Sequence, residues 1–385
     1  MSRLPRVSTL ALLTLPLLPV NAVAQLALSA NDNKAVLVDG VTTVVQNPPP
    51  DTVTIIDLKS SPPKILADVK APTSVVGPPS SVAVAHDESI ALVTAATKID
   101  PSDPKKVVPD NKVSVIDLKA SPPAVAATVE AGAGAAGVAI NRAGNLALVA
   151  NRNEGTVSVF TVAGKTLTPA GKIELGDAKS GPSAVSFSPD DKSALVTRDG
   201  DNKVSLLSVD GNKVEYTKRD IHAGLRPYPL DITARGDMAV VGNIGIGGGD
   251  ADTVSLIDLQ AKPPRVIDTV TVGQTPEGLK LSPDGRHVAV TVMNGSNKPK
   301  NSPFFNDNGL VVVLAIDGRK LTRVGEGKVG HWCQGAAWSP DSKTLLVQCM
   351  VEKEILVFGF DGKAVTPTGT LKIDGNPAGI GTASP

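Results

Sequence analysis

The sequence predicts an all-β protein, a closed ring of seven four-stranded antiparallel sheets. Two recurring phrases carry this prediction. One is a hairpin, seen as FSPDDKSALVT, LSPDGRHVAVTV and WSPDSKTLLVQ at residues 187–197, 281–292 and 338–348. The other is a strand of the VSVIDL type, whose first residue recurs at intervals of 44 to 60 residues, at Val53, Val113, Val157, Val204, Val254, Leu310 and Ile355. A four-stranded unit repeated at this period is typical of a β-propeller.

Each repeat is predicted to contain four strands, A to D in chain order. Strand A follows a Gly/Pro signal, as in QTPEGLKLS, and turns through Ser-Pro-Asp-Gly, where Pro presets φ and Gly accepts a positive φ. Strand B is of the ALVT type, strand C of the VSVIDL type, and strand D is shorter, as in RVIDTVTVG. Alternation and β-branched residues favour strands over helices. A linear stack of sheets is the alternative, but it requires polar end caps that the sequence does not show.

The composition fits this fold and excludes some functions. The chain has 385 residues, of which only 3% are aromatic, and 38 Lys and Arg balance 38 Asp and Glu. Binding of single-stranded nucleic acid requires a basic groove with aromatic residues, so nucleic acid is not an expected partner. No transmembrane segment is expected in the mature chain.

The first 24 residues are predicted to be a signal peptide. Arg3 and Arg6 precede a short apolar run, and Ala-Val-Ala ends at Ala24, which predicts cleavage before Gln25. A retained membrane anchor is the alternative. We expect residues 25–385 to form a single propeller domain, monomeric, in the periplasm or outside the cell.

The two chain ends are predicted to close the ring. Residues 374–385 (DGNPAGIGTASP) match the start of strand A, but no strand B follows them. Residues 26–38 begin abruptly in what looks like a strand A hairpin. We infer that the termini meet in one blade, although a disordered C-terminal tail is the alternative.

The repeat length varies mainly between strands B and C. Long connections occur at residues 39–51, 95–111, 242–253 and 293–309. All B–C connections of a propeller lie on the same face as the D–A connections. Insertions on one face of a repeat protein usually mark its binding face.

The SPDG hairpins, the ALVT and ALVAN strands and the VSVIDL strands resemble the YVTN-repeat seven-bladed propellers of exported bacterial proteins. The resemblance covers essentially the whole mature chain, although no literal Tyr-Val-Thr-Asn occurs. It implies the fold firmly. It does not select a function, because that family includes lactonase-like enzymes, nucleic-acid binders and surface proteins.

The two cysteines are predicted to face each other across a hairpin. If Ser339 and Lys343 pair at the turn, Cys333 and Cys349 lie opposite one another on strands A and B. In an oxidising compartment we expect a disulfide. The alternatives are two free thiols, or a Cu(I) site completed by His331 and Met350.

Polar and aromatic residues concentrate at the predicted channel mouth in blades five to seven. Arg226, Glu277 and His331 are the candidate catalytic residues, because His331 with Glu277 can act as a general base while Arg226 polarises a carbonyl. The alternative is that these charges only satisfy one another. The candidate binding residues are Tyr228, Trp332, Gln334, Arg152 and Asn243.

No cofactor is predicted. The Asp/Asn-rich segments make Asp250 and Asp252 weak candidates for binding calcium, but their spacing does not match an EF-hand. Since no established catalytic motif occurs, the sequence favours a binding module whose inserted loops hold a protein, glycan or small-molecule ligand. The alternative is a lactonase- or lyase-like enzyme at the channel mouth of blades five to seven.

Overall fold

The computed structural model describes residues 25–384, which form seven four-stranded antiparallel sheets and one additional two-stranded hairpin. Each sheet is a blade, and its strands are named A to D from the centre outwards. Neighbouring A strands contact one another all the way round, so the blades close into a ring about a central channel. The prediction of an all-β, seven-bladed propeller is confirmed. Residues 25–384 contain no helix that is long and apolar enough to cross a bilayer.

The strands follow one another in the order that the repeats predict. The N-terminal segment forms β1 (Leu26–Asp32), the hairpin of β2 (Ala35–Val38) and β3 (Val41–Val44), then β4 (Thr52–Asp57) and β5 (Lys64–Lys70). Blade 2 contains β6 (Val82–Val84), β7 (Ile90–Asp100), β8 (Asp103–Asp117) and β9 (Ala124–Glu130). Blade 3 contains β10 (Ala135–Ile140), β11 (Leu146–Asn151), β12 (Thr156–Ala163) and β13 (Thr166–Glu174). Blade 4 contains β14 (Pro182–Phe187), β15 (Ser193–Arg198), β16 (Lys203–Asp210) and β17 (Lys213–Ile221).

The remaining strands complete the ring. Blade 5 contains β18 (Pro227–Ile232), β19 (Met238–Asn243), β20 (Asp252–Asp258) and β21 (Arg265–Gly273). Blade 6 contains β22 (Pro276–Leu281), β23 (His287–Val292), β24 (Gly309–Asp317) and β25 (Lys320–Val329). Blade 7 contains β26 (Cys333–Trp338), β27 (Thr344–Cys349), β28 (Glu354–Phe360) and β29 (Val365–Lys372), and the chain ends in β30 (Asn376–Thr382).

The chain ends share blade 1, as predicted, and the structure corrects how they divide it. The C-terminal β30 is the innermost strand, and β1, β4 and β5 supply the other three. Residues 26–32 are therefore strand B, not the start of a strand A hairpin. Gln348 of blade 7 fastens this joint, because its amide donates to the Ser29 hydroxyl (2.7 Å) and to the Gly379 carbonyl (2.9 Å).

Adjacent blades are joined by a repeated side-chain hydrogen bond, which explains the ALVT phrase. The Thr197 hydroxyl, near the end of strand B, donates to the Tyr228 carbonyl on the A strand of the next blade (2.8 Å). The same contact joins three further pairs, Thr94 with Ala136, Thr291 with Gln334, and Gln348 with Gly379. The Thr of the ALVT pattern thus donates a hydrogen bond to the next blade. The apolar residues around it form the core between the sheets.

One repeat is shifted from its predicted register. Val254 of blade 5 pairs with Gly242, and the matching pair in blade 6 is Val311 with Thr291. The equivalent of the other anchor residues is therefore Val311, which is fully buried, and not Leu310.

The inserted B–C connections contact one another on one face, here called the upper rim. The β2–β3 hairpin of blade 1 reaches the blade 6 insertion, where the Lys300 amide donates to Asp39 Oδ1 (3.0 Å). Lys298 of that insertion donates from Nζ to the Gly247 carbonyl in blade 5 (2.8 Å). Gln46 donates to the Pro104 carbonyl of the β7–β8 ribbon (3.1 Å). The opposite face, the lower rim, carries the A–B turns.

Candidate functional site

The upper end of the channel is built from two turns in each of blades 3 to 7. The residue before strand A has a positive φ, and its carbonyl accepts a hydrogen bond from the residue that follows strand B. In blade 3 this joins Arg152 N to Gly134 O (2.8 Å), and in blade 5 Ile244 N to Arg226 O (3.0 Å). Residues on these two turns therefore surround the channel mouth.

Blades 5 to 7 carry side chains where blades 3 and 4 carry none. The residue before strand A is Gly134 or Gly181 in blades 3 and 4, but Arg226 (φ 55°), Thr275 (φ 56°) and Trp332 (φ 48°) in blades 5, 6 and 7. A left-handed backbone costs a non-glycine residue about 1–2 kcal/mol. Such strain is concentrated at functional sites. Here it is accompanied by an arginine and a tryptophan at the channel mouth.

Two arginines share one buried carboxylate. Asp199, whose side chain is 4% exposed, accepts from Arg152 at both oxygens (2.7 and 2.9 Å) and from Arg226 Nη2 (2.8 Å). Burial alone would raise the pKa of Asp199, but these hydrogen bonds and charges outweigh it, so its pKa is lowered. Burial would lower the pKa of Arg152, but Tyr228, Asp199 and Glu277 outweigh it, so the pKa of Arg152 is raised. Asp199 remains ionised and fixes both guanidinium groups.

The two arginines are not equally available to a ligand. Arg152 is committed, since Nη1 contacts Asp199 and the Ser183 hydroxyl, and its guanidinium lies 5.3 Å from the centre of the Tyr228 ring. The Arg226 side chain is 38% exposed, and its weaker contact is to the Gly245 carbonyl (3.4 Å). Arg226 is therefore the guanidinium that can bind an incoming group.

Glu277 lies in the same electrostatic cluster and is 9% exposed. Burial raises its pKa to about 7 from an ordinary value of 4.5, the charge of Asp199 adds to this rise, and the positive charges of Arg152 and Arg226 oppose it. A carboxyl group with a pKa near 7 exchanges a proton readily at neutral pH, as general acid–base catalysis requires.

Tyr228, Gln334 and Trp332 complete the mouth. Burial raises the pKa of Tyr228, so its hydroxyl remains a proton donor at neutral pH. The Gln334 side chain accepts from Trp332 Nε1 (3.0 Å) and donates to the Ala378 carbonyl (3.0 Å). Of the predicted residues, the structure thus groups Arg152, Arg226 and Glu277 with these three.

His331 and Asn243 have other partners. His331 Nδ1 lies 2.7 Å from Glu352 and Nε2 lies 3.4 Å from Asp307, so its neighbours are carboxylates of the blade 6 and 7 loops and not Glu277. Asn243 is 2% exposed, and its amide donates to hydroxyls of strand C at 3.0 Å. Asn31 and Asn151 make the same contacts in blades 1 and 3, so these contacts join strands B and C within a blade.

The remaining candidates are a disulfide and the weak calcium residues. Cys333 and Cys349 form the predicted disulfide. The assumed turn pairing was one residue off, because Trp338 pairs with Leu345, but a β-bulge after Cys333 restores the cysteine pair. In residues 25–384, the one group of three potential metal ligands contains both disulfide sulfurs and Glu352. Oxidised cysteines do not supply thiolates, so the disulfide does not bind a soft metal through its sulfurs.

Of the two calcium candidates, Asp252 accepts a hydrogen bond from the Thr275 amide (2.8 Å), and burial raises its pKa.

Asp199 was missed by the sequence reasoning, although a signal for it exists. The position of Asp199, two residues beyond that of Thr197 in strand B, is Ala96, Ile244, Met293 or Met350 in four blades, and all four are buried. It is charged in blades 1, 3 and 4, as Asp32, Arg152 and Asp199. Asp32 is occupied by Lys34 (3.2 Å), whereas Arg152 and Asp199 pair across adjacent blades. Opposite charges at this otherwise apolar position would have predicted the pair.

The lower half of the channel differs from the mouth. It holds a cavity of about 150 Å³, lined both by apolar residues of the A strands, such as Val138 and Leu230, and by polar ones, such as Asp231 and Lys280. Ligand pockets usually measure about 300–1,000 Å³. This cavity is therefore smaller than a usual ligand pocket.

Comparison with known proteins points to one family by sequence and to the fold by structure. A family model described as "Lactonase, 7-bladed beta-propeller" matches residues 110–225, a stretch that includes Arg152 and Asp199. No curated protein matches the chain. The YVTN resemblance is confirmed only as far as the propeller, because the family that matches is a lactonase propeller.

Solved structures match over nearly the whole chain at low identity. A Bacteroides fragilis protein, provisionally named 6-phosphogluconolactonase, is 18% identical, with 94% of this chain and 99% of that one covered and a TM-score of 0.70. The periplasmic gluconolactonase of Pseudomonas aeruginosa is 17% identical, with 93% and 99% covered and a TM-score of 0.66. A Desulfotomaculum acetoxidans protein of unknown function is 16% identical, with 94% and 99% covered and a TM-score of 0.68.

These findings correct the leading functional prediction. The sequence favoured a ligand- or protein-binding module because no established catalytic motif was present. The match of residues 110–225 to the lactonase family model favours the alternative instead, a lactonase-like enzyme. A propeller can carry its catalytic groups on strand ends of separate blades, where no local motif reveals them.

Proposed function

We propose that the protein is an exported hydrolase that opens lactone rings with water at the upper end of its channel. The observation that carries the proposal is Glu277, a buried carboxyl group whose pKa is raised to about 7 beside the charges of Arg152 and Arg226. The lactonase family match supports the reaction class. The disulfide and the periplasmic gluconolactonase among the similar structures support export to the periplasm; the signal segment, residues 1–24, lies outside the described residues.

The chemistry requires a base, a carbonyl-binding group and a proton for the leaving oxygen. The Glu277 carboxylate accepts a proton from water as the water oxygen attacks the carbonyl carbon. Arg226 stabilises the oxyanion of the tetrahedral intermediate, because it is the exposed guanidinium of the pair. The ring C–O bond then breaks, and the leaving oxygen takes the proton back from Glu277. The product is a hydroxycarboxylic acid, which loses its own proton to solvent at neutral pH.

The other residues position these groups. Asp199 holds both arginines, and the Tyr228 hydroxyl can donate to a substrate oxygen. His331 is not required, since its neighbours are Glu352 and Asp307.

The test is hydrolysis of D-glucono-1,5-lactone and δ-valerolactone by the purified protein, followed with a pH indicator and corrected for spontaneous opening. Glu277→Gln keeps the shape of the side chain but removes the base, so kcat should fall about 10²- to 10⁴-fold. Glu215→Gln is the matched control, because Glu215 is exposed on an outer strand, and should retain full activity. Equal turnover by Glu277→Gln and wild type would refute the assignment, as would a wild type that opens neither these lactones nor longer-chain ones.

A further inference from the structure

Exposed apolar side chains are gathered on the upper rim. Among residues 25–384, ten large hydrophobic side chains are exposed. Eight belong to insertions and turns of the upper rim, namely Val38, Val41, Val76, Val107, Leu225, Ile246, Phe304 and Val351. Exposed apolar groups are common singly, but a cluster next to a polar site indicates a ligand surface.

Three of these residues lie on loops that contact one another beside Arg226, and they are here called the apolar shelf: Leu225, Ile246 and Phe304, exposed by 48%, 71% and 42%. Leu225 directly precedes Arg226, and its carbonyl accepts from the Gly245 amide (3.1 Å). Arg226 Nη1 in turn donates to the Gly245 carbonyl (3.4 Å). Ile246 follows Gly245, so the shelf begins where the exposed guanidinium ends.

The shelf is held in place by contacts between two insertions. Gly249 has a φ of 92°, and a Cβ there would lie 2.2 Å from the Phe304 ring, so the ring occupies the space that a side chain would need. Within the blade 6 insertion, a Cβ on Gly295 would lie 1.9 Å from the Phe304 carbonyl oxygen, so the Phe304 backbone is closely packed there. The Lys298 contact to Gly247 joins the same two loops. Contacts thus fix Gly245 and Gly247 on either side of Ile246, which is exposed.

We propose that the apolar shelf binds a hydrocarbon chain on the substrate, so that the preferred substrates are lactones with an alkyl or acyl tail. This inference rests on the proposed function, because Arg226 would hold the lactone carbonyl while the tail extends over Leu225, Ile246 and Phe304. A polyhydroxylated sugar ring in that place would set hydroxyl groups against apolar carbon and lose their hydrogen bonds to water. The occupant favoured by the shelf is thus a chain and not a second ring of hydroxyls.

The test is a series of δ-lactones that differ only in chain length: δ-valerolactone, δ-octalactone, δ-decalactone and δ-dodecalactone. Each methylene that leaves water should raise kcat/KM about two- to fourfold until the shelf is covered. Ile246→Asn should flatten this dependence and leave δ-valerolactone turnover unchanged. Val351→Asn is the matched control, since Val351 is exposed on the same rim outside the shelf, and it should keep the wild-type dependence.

A binding measurement separates this inference from the proposed function. Calorimetry compares 5-hydroxydecanoate with 5-hydroxypentanoate, the opened forms of the long and the unsubstituted lactone. Turnover that ignores chain length would overturn the shelf and leave the hydrolase standing. No turnover, combined with tighter binding of 5-hydroxydecanoate that Ile246→Asn abolishes, would overturn the hydrolase and support the shelf as a binding site. Equal binding of both acids, or an equal loss in Val351→Asn, would overturn the shelf.

Discussion

The two rims of this propeller are built from the same strands, but the turns of the lower rim repeat the same contacts from blade to blade, whereas those of the upper rim do not. On the lower rim the A–B turns repeat one arrangement. In blade 6, the Ser282 hydroxyl donates to Asp284 (2.5 Å) and accepts from the His287 amide (3.0 Å). The corresponding contacts recur in blade 4, from Ser188 to Asp190 (2.6 Å), and in blade 7, from Ser339 to Asp341 (2.6 Å).

The lower-rim turns also share a backbone feature, a positive φ at their fourth residue. The fourth turn residue has a positive φ in each case, as Asp191 (57°), Gly285 (68°) and Ser342 (59°). Where glycine is absent, the side chain joins the preceding blade: Asp191 Oδ1 accepts from the Arg142 amide (2.8 Å). Ser342 Oγ likewise accepts from the Asp284 amide (3.2 Å). The strained residue thus has a structural reason.

On the upper rim, equivalent positions carry different residues. The turn before strand A holds Gly134 and Gly181 in blades 3 and 4, but Arg226, Thr275 and Trp332 in the next three. The position of Asp199 is occupied by Ala96 in blade 2 and by Arg152 in blade 3. The comparison teaches that repetition marks the positions that every blade needs for folding, whereas departures from the repeat mark contacts that belong to one place in the ring, such as the disulfide of blade 7 and the proposed site at the channel mouth.

Removal of the disulfide should have the largest effect on stability of any change on the upper rim outside the site. Cys333 and Cys349 stand where blade 5 has Pro227 and Asn243, so the cross-link replaces the polar contacts of that asparagine. The cysteines are 16 residues apart, and a loop of this size stabilises by roughly 3 kcal/mol in the chain-entropy model. In the double variant Cys333→Ala and Cys349→Ala, the free energy of unfolding measured in urea should be lower by about 3 kcal/mol.

A reductant supplies the control for this measurement. It should lower the urea midpoint of the wild type and leave that of the double variant unchanged. If the double variant unfolds at the wild-type midpoint, blade 7 does not depend on the cross-link, and the comparison with Asn243 fails.

The pH dependence of turnover should reveal which charges act on Glu277. Activity requires the carboxylate, so kcat/KM should rise with pH to a plateau, with a midpoint near the pKa of about 7. The charge of Arg226 lowers this pKa, and that of Asp199 raises it. Arg226→Met should therefore move the midpoint to higher pH, and Asp199→Asn should move it to lower pH. A shift of one pH unit corresponds to about 1.4 kcal/mol.

Opposite shifts separate an electrostatic role from a structural one, because general damage to the site lowers the rate without setting a direction. Arg219→Met is the matched control, since Arg219 is exposed on the outer strand β17, and its midpoint should equal that of the wild type. Shifts of the same sign in both site variants would contradict the charge assignment.

The fold was predictable from the sequence because every blade repeats the same strand pattern. Seven copies of one strand pattern fixed the blade count, and a one-residue slip at Leu310 did not alter it. The division of blade 1 was not predictable, since the closing strand β30 pairs with β1 over almost the whole chain length, and no local signal marks such a pairing. The cysteine pair was predicted correctly although the bulge that restores its register was not foreseen.

The site was predictable only in part. Alignment of strand A starts gave Tyr228, Glu277 and Gln334, which the structure groups at the mouth. It could not give Asp199, which lies on a different turn and meets Arg226 only through the packing of blades 4 and 5. It also offered His331, which is close to Glu277 in the repeat alignment but has other partners. The repeat pattern predicts where a residue lies along its strand. It does not predict which way a side chain at a turn points, because that depends on the neighbouring blade.

The smallest predicted effect tests the lower rim. Ser282→Ala removes the hydroxyl that joins Asp284 to the His287 amide, and a buried turn hydrogen bond of this kind contributes about 1 kcal/mol to the free energy of unfolding. Ser208→Ala is the control, because Ser208 is exposed and its contact to Glu215 is long (3.4 Å), so its loss should be near zero. Both variants should turn over δ-valerolactone at the wild-type rate, since the A–B turns lie at the far end of the channel from Glu277. A folded Ser282→Ala variant with reduced turnover would mean that the lower rim affects the site. The assignment of folding contacts to the lower rim and of the site to the upper rim would then be wrong.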